Sequence, residues 1–185
     1  MRCRIAQPRR IARTVQRLAA ANHQRGAQFI LLVAQFHSAI ADALVRGATQ
    51  ALRRNGIAAS AIQLLRVPGA FELPLVAAHA AARRPAPAAI IALGALIQGE
   101  TPQYAVIAHA VAGGLSHVAV TTKVPVTFGV IVAETLAQAK VRAGLPAPRR
   151  SYSKKAGQAN GAQGNRGEEA ALAALAVLRV LEGIE

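Results

Sequence analysis

Four short apolar runs, separated by stretches of helical spacing, constrain this chain more than any other feature. They are Phe29-Ile30-Leu31-Leu32-Val33, Ile62 to Val67, Ala89-Ile90-Ile91-Ala92-Leu93 and Val124 to Ile131. A continuous apolar run of this length is the signature of a strand covered on both faces. Helical spacing fills the intervals: Ile40 onward with Ser38 as the expected N-cap and Gly56 as the stop, Leu75 to the Arg83-Arg84-Pro85 break, Tyr104 to Val120, and Thr135 to Ala143. Gly113-Gly114 reads as either a close-packing or a bending point in the third of these. A last helix is expected from about Glu168 to Leu181, with two acids in its first turn. Regular alternation of strand and helix predicts a three-layer α/β/α sandwich around a central four-stranded parallel sheet. Aromatics make up only 3% of the chain, so the layers must be joined by Ala, Val, Leu and Ile.

At 185 residues the chain accommodates one ordinary domain, expected over residues 26–185, with a basic arm at 1–25 and a basic insertion loop at 145–163. The formal charge of +14 is concentrated there. Residues 1–25 hold seven arginines and no acid, and residues 145–166 hold Arg149, Arg150, Lys154, Lys155 and Arg166, again with no acid. Only +2 remains for everything else, so the folded core is close to neutral. Ile11, Val15 and Leu18 lie at helical spacing within the arm, which reads as a basic amphipathic or partner-dependent segment. An organellar targeting peptide, which is also Arg-rich and acid-poor, is the lesser alternative, since the stretch has no serine. No uninterrupted apolar run reaches the roughly 18 residues of a membrane span, so a soluble chain with no membrane partner is expected. Cys3 is the single cysteine, which excludes an intrachain disulfide and a thiolate metal site and fits a cytoplasmic protein.

In parallel sheets ligands bind beyond the carboxyl ends of the strands. The informative segments sit there: Gln35-Phe36-His37, Val67-Pro68-Gly69-Ala70-Phe71-Glu72-Leu73-Pro74, Gly94 to Gln103, and Val126-Thr127-Phe128-Gly129-Val130. Gly164-Asn165-Arg166-Gly167 opens the last helix. Taken singly each is weak. Phe36 and Phe128 read equally as core aromatics, Glu72 as a helix-dipole partner, and Gly99-Glu100-Thr101-Pro102 as the start of a helix whose free N–H groups could hold a phosphate.

In joint order these segments, with Arg142-Ala143-Gly144, resemble 6,7-dimethyl-8-ribityllumazine synthases over roughly residues 28–144 and 164–181. The resemblance implies a flavodoxin-like lumazine synthase fold. It also implies the condensation of 5-amino-6-(D-ribitylamino)uracil with 3,4-dihydroxy-2-butanone 4-phosphate in riboflavin biosynthesis, with loss of phosphate and water and with no metal or organic cofactor. It further implies a homo-oligomer of pentamers, in many members a 60-subunit icosahedral shell, with riboflavin synthase as a candidate partner. Carried over by motif, Phe36 would stack on the pyrimidine, and Ala70, Phe71 and Glu72 would contact the ring and ribityl chain. Ala95, Leu96 and Ile97 would present backbone to the ring edge, and Glu100 and Thr101 would offer amides to the phosphate. Phe128 and Arg142 would reach in from a neighbouring subunit, Arg142 as the phosphate's cation.

The pattern departs from the family's at the site itself. Gln103 stands where the proton-transferring histidine is usual, and an amide cannot trade protons near neutrality. Gln35 and His37 flank Phe36 in place of arginine and asparagine, Gln98 replaces an arginine, and Ala105 replaces an acid. These changes imply a slow enzyme, since acid–base help is worth roughly 10²–10⁴-fold. His37 lies at a strand end beside the expected ring and is a candidate replacement; His23, His79, His109 and His117 read as helix-surface or packing residues. The alternative reading is a shell or scaffold paralogue that has lost catalysis and whose basic arms bind nucleic acid or another polyanion. Tyr152 is the only aromatic in either basic stretch, which weakens the nucleic-acid version.

Overall fold

The computed structural model describes residues 28–146 and 164–184. The expectations for the arm at 1–25, for His23 and for 147–163 of the insertion lie outside the described residues.

Strand β1 (Phe29–Ala34) leads into helix α1 (Ser38–Arg54), and strand β2 (Ile62–Val67) into α2 (Leu73–Ala81). Strand β3 (Ala89–Ile97), α3 (Gln103–Thr122), β4 (Val126–Ala133), α4 (Leu136–Arg142) and α5 (Arg166–Glu182) follow. The strands lie in the order β2-β1-β3-β4 and every pairing is parallel, as the alternation predicts. β1 is central, and all six of its residues are buried. Its alternating side chains feed two separate cores. Phe29, Leu31 and Val33 pack with Ile40, Leu44 and Leu52 of α1 and Ala171, Ala174 and Leu175 of α5. Ile30, Leu32 and Ala34 pack with Leu73, Ala77 and Ala80 of α2 and Val111, Leu115 and Val118 of α3. The expected three-layer sandwich is therefore the observed one.

Small residues let the layers close. A Cβ on Gly47 of α1 would run into the carboxamide of Asn165, and one on Gly167 would run into the Leu44 carbonyl, so α1 and the start of α5 meet backbone to backbone. Gly114 is likewise a close-packing point, since a Cβ there would come within 2.8 Å of Pro74, whereas Gly113 faces open space.

Several boundaries differ from the sequence reading. β3 runs four residues past Leu93 because Gly94 to Ile97 pair with Val130 to Ala133. Ser38 is the first residue of α1 and not its cap. The N-cap position belongs to His37, which lies in the left-handed region (φ 61°, ψ 58°) and whose carbonyl accepts from Ile40 and Ala41. A 3-10 turn at Ala59–Ala61 precedes β2. Thr135 caps α4 in a reciprocal box with Gln138, and Asn165 caps α5 by accepting from Gly167 and Glu168. Twenty residues long, α3 is apolar enough to cross a membrane by length and composition alone. In the fold one of its faces packs on the sheet, while Val106 and Val120 stand exposed on the other.

Candidate active site

Three strands end at one cleft. Its volume is about 420 Å³, and it opens at the carboxyl ends of β1, β2 and β3, where the chain direction switches from one side of β1 to the other. The end of β1 supplies Phe36 and His37, the turn after β2 supplies Gly69 to Glu72, the end of β3 supplies Ala95 to Ile97, and the opening of α3 supplies Thr101, Gln103 and Tyr104. Phe36 and Phe71 are 70% and 63% exposed, a costly state for large apolar rings unless something flat covers them. The core takes only one of the chain's four phenylalanines, Phe29. The reading of Phe36 as a core aromatic is thus excluded.

Glu72 occupies the N-cap position of α2, but its side chain does not cap that helix. Its carboxylate instead accepts from the Gly69 N–H at 2.9 Å and braces the turn that carries Ala70 and Phe71. Pro102 holds the N-cap position of α3 and offers no side-chain cap, so the first-turn amides are left without a capping side chain.

A second cleft of about 260 Å³ is lined by Phe128, Val130, Ile131, Val132, Arg142 and Arg166. Phe128 is half-buried, partly packed against the core that α2 and α3 share. Two guanidiniums converge on a single carboxylate there: Arg142 Nη2 lies 3.3 Å and Arg166 Nη1 3.0 Å from Glu169 Oε2. Asn165 holds this corner together. Its amide donates to the carbonyls of Ala43 and Ala143, both at 2.8 Å, while its Oδ1 caps α5. That one side chain ties α1, the end of α4 that bears Arg142, and the start of α5 that bears Arg166.

A further cavity, about 500 Å³, lies at the opposite, amino-terminal end of β1 beside Arg83, Arg84, Pro85 and Pro87. Arg83 donates to Gln63, and Arg84 donates to the carbonyls of Ala82 and Arg83. It gathers none of the segments singled out in the sequence.

A family model described as 6,7-dimethyl-8-ribityllumazine synthase matches residues 26–182. The chain belongs to the 6,7-dimethyl-8-ribityllumazine synthase family. A lumazine synthase of Chlorobium phaeobacteroides is 45% identical over 128 residues, covering 69% of this chain and 82% of the relative. One from Desulfotalea psychrophila is 44% identical over 122 residues, covering 66% and 78%. One from Desulfosudis oleivorans is 42% identical over 120 residues, covering 65% and 76%. Lumazine synthases are transferases of riboflavin biosynthesis.

Against the lumazine synthase pattern, the first cleft gathers Phe36, Ala70, Phe71, Glu72, Ala95, Leu96, Ile97, Thr101 and Gln103. Glu100 is exposed and does not line it. Phe128 and Arg142 fall in the second cleft. Arg166 and Glu169 received no individual role from the sequence. The Gly-Asn-Arg-Gly turn was the available signal, but the convergence of both arginines on Glu169 depends on packing between segments far apart in the chain. His79, His109 and His117 are exposed on helices, as expected, and His109 Nδ1 lies 2.7 Å from the Ala105 carbonyl within its own helix.

Proposed function

We propose that this chain condenses 5-amino-6-(D-ribitylamino)uracil with 3,4-dihydroxy-2-butanone 4-phosphate to give 6,7-dimethyl-8-ribityllumazine. The observation that carries the reading is the first cleft: two exposed phenyl rings, a braced carboxylate and strand-end backbone at the switch point of the sheet. A flat heterocycle satisfies the rings, backbone groups of Ala95, Leu96 and Ile97 suit a pyrimidine's amide edge, and Glu72 suits ribityl hydroxyls. The Arg142–Arg166 pair supplies two guanidinium forks to a phosphate, which would share or displace Glu169. No metal or organic cofactor is needed for these steps.

Because the rings and the arginines lie in different clefts, the proposed site is completed between copies of the chain. A pentamer, with or without closure into a shell, would bring the Phe128–Arg142 edge of one copy to the Phe36–Phe71 edge of the next. The bare outer face of α3 agrees with burial in such an assembly. A cytoplasmic location and delivery of product to riboflavin synthase belong to the same reading. The test is incubation of purified protein with both substrates while the absorbance of the lumazine is followed. Product is expected, at a reduced rate. Binding of the pyrimidine without any product would favour the scaffold reading, in which the twelve positive charges of residues 1–25 and 145–166 collect polyanions. Retention of nucleic acid that falls steeply with salt would mark that activity.

A further inference from the structure

The first cleft contains a second residue poised for chemistry, and it is not at the opening of α3. Fourteen residues line the cleft, and three of them carry ionisable side chains: His37, Glu72 and Tyr104. Of these side-chain types, imidazole alone ordinarily changes protonation between pH 5 and 8. Glu72 faces the same cavity from α2 but is committed to the Gly69 amide, and Tyr104 faces it from α3. Gln103, beside Tyr104, carries a side chain that cannot exchange protons near neutrality.

The backbone at His37 adds an independent observation. It is one of two non-glycine residues with positive φ among the described residues, the other being Lys123 at the far end of α3. A left-handed conformation costs a β-carbon-bearing residue roughly 1–3 kcal/mol, and such strain clusters at functional sites. Here it places an imidazole on the cleft at the point where β1 turns into α1. The ring of Phe36 meets it edge to face, with centroids 5.0 Å apart, so the histidine is lodged against the ring proposed to stack on the pyrimidine.

We propose that His37 is the proton-transferring residue of this chain, an inference that rests on the condensation reading above. In that reaction the pyrimidine's amino nitrogen adds to the butanone carbonyl carbon and forms a carbinolamine. The C–O bond then breaks as the hydroxyl leaves with a proton from the His37 imidazolium, as water. The nitrogen gives up its remaining proton to the neutral imidazole as the C=N bond forms. The imidazolium is regenerated, and no oxidant or reductant enters.

His37→Asn is the appropriate variant, because asparagine tolerates a left-handed backbone and keeps a polar side chain without a titrating group. Steady-state kinetics across pH 5–9, with pyrimidine affinity measured separately, form the test. His37→Asn is expected to lower kcat by about 10²-fold, to alter the pH profile of kcat, and to change pyrimidine affinity by less than about threefold. His37→Gly is expected to regain turnover when free imidazole is added, a response that a purely structural role would not give. Wild-type kcat with an unchanged pH profile in His37→Asn would overturn the assignment while leaving the condensation reading intact. Failure of the wild type itself to make lumazine would overturn both.

Discussion

The two clefts of this molecule are built on different principles. The first sits on the ends of three strands that are pinned by the sheet, and its functional side chains are largely exposed. The second lies along β4, and its two arginines, from the end of α4 and the start of α5, are placed by polar contacts to Glu169 and around Asn165. The contrast teaches which kind of damage each should suffer. The exposed rings of the first cleft, Phe36 and Phe71, can be removed with little structural cost, because they make few folded-state contacts. Removing the supports of the second should loosen the fold and the anion site together.

The largest expected effect is chemical. Arg142→Ala should cut kcat/KM for the butanone phosphate by about 10²–10³-fold, since a charge-assisted fork to the phosphate is lost. Pyrimidine affinity should move by less than about threefold, because Arg142 lines only the second cleft. Isothermal titration with each substrate separates the two, and equal losses for both would erase the distinction between the clefts.

Next comes Asn165→Ala, which deletes the cap of α5 and the links to Ala43 and Ala143. Urea denaturation should register a destabilisation of about 1–3 kcal/mol, from a lost cap and two lost side-chain hydrogen bonds to part-buried carbonyls. A loss under about 0.5 kcal/mol would mean that the corner is held by packing instead.

Phe36→Ala is the counterpart in the first cleft, with a smaller effect. Its stability should stay within about 0.5 kcal/mol of wild type because the ring is 70% exposed. Pyrimidine affinity should fall by about tenfold, the loss of one stacked aromatic face. A large drop in denaturation midpoint would show that Phe36 belongs to the fold.

Much of this contrast was legible in the sequence, for physical reasons that differ between the clefts. β1 could be read because a strand buried on both faces must be apolar throughout, and Phe36 and His37 follow it directly. The turn Pro68 to Glu72 was likewise marked by its own local chemistry. The extension of β3 was hidden because Gly94 looks like a terminator, and only pairing with β4 keeps Gly94 to Ile97 extended. The left-handed backbone of His37 was obscured by Ser38, a good cap by local rules that was pre-empted by the residue before it. The second cleft was least visible. Asn165 reaches Ala43, 122 residues away, and no local pattern announces that contact or the convergence of Arg142 and Arg166 on Glu169.

The central claim is that one copy's rings and another copy's arginines make a single site, and subunit complementation tests it most directly. A Phe36→Ala/Phe71→Ala double variant and an Arg142→Ala variant, each nearly inactive alone, are dissociated, mixed in equal amounts and reassembled, with mixing verified by native mass spectrometry. If the clefts join between copies, random mixing pairs an intact first cleft with an intact second cleft at about one site in four, and lumazine formation should recover to about a quarter of the wild-type rate. Verified mixed assemblies no more active than the two variants measured separately would contradict the claim.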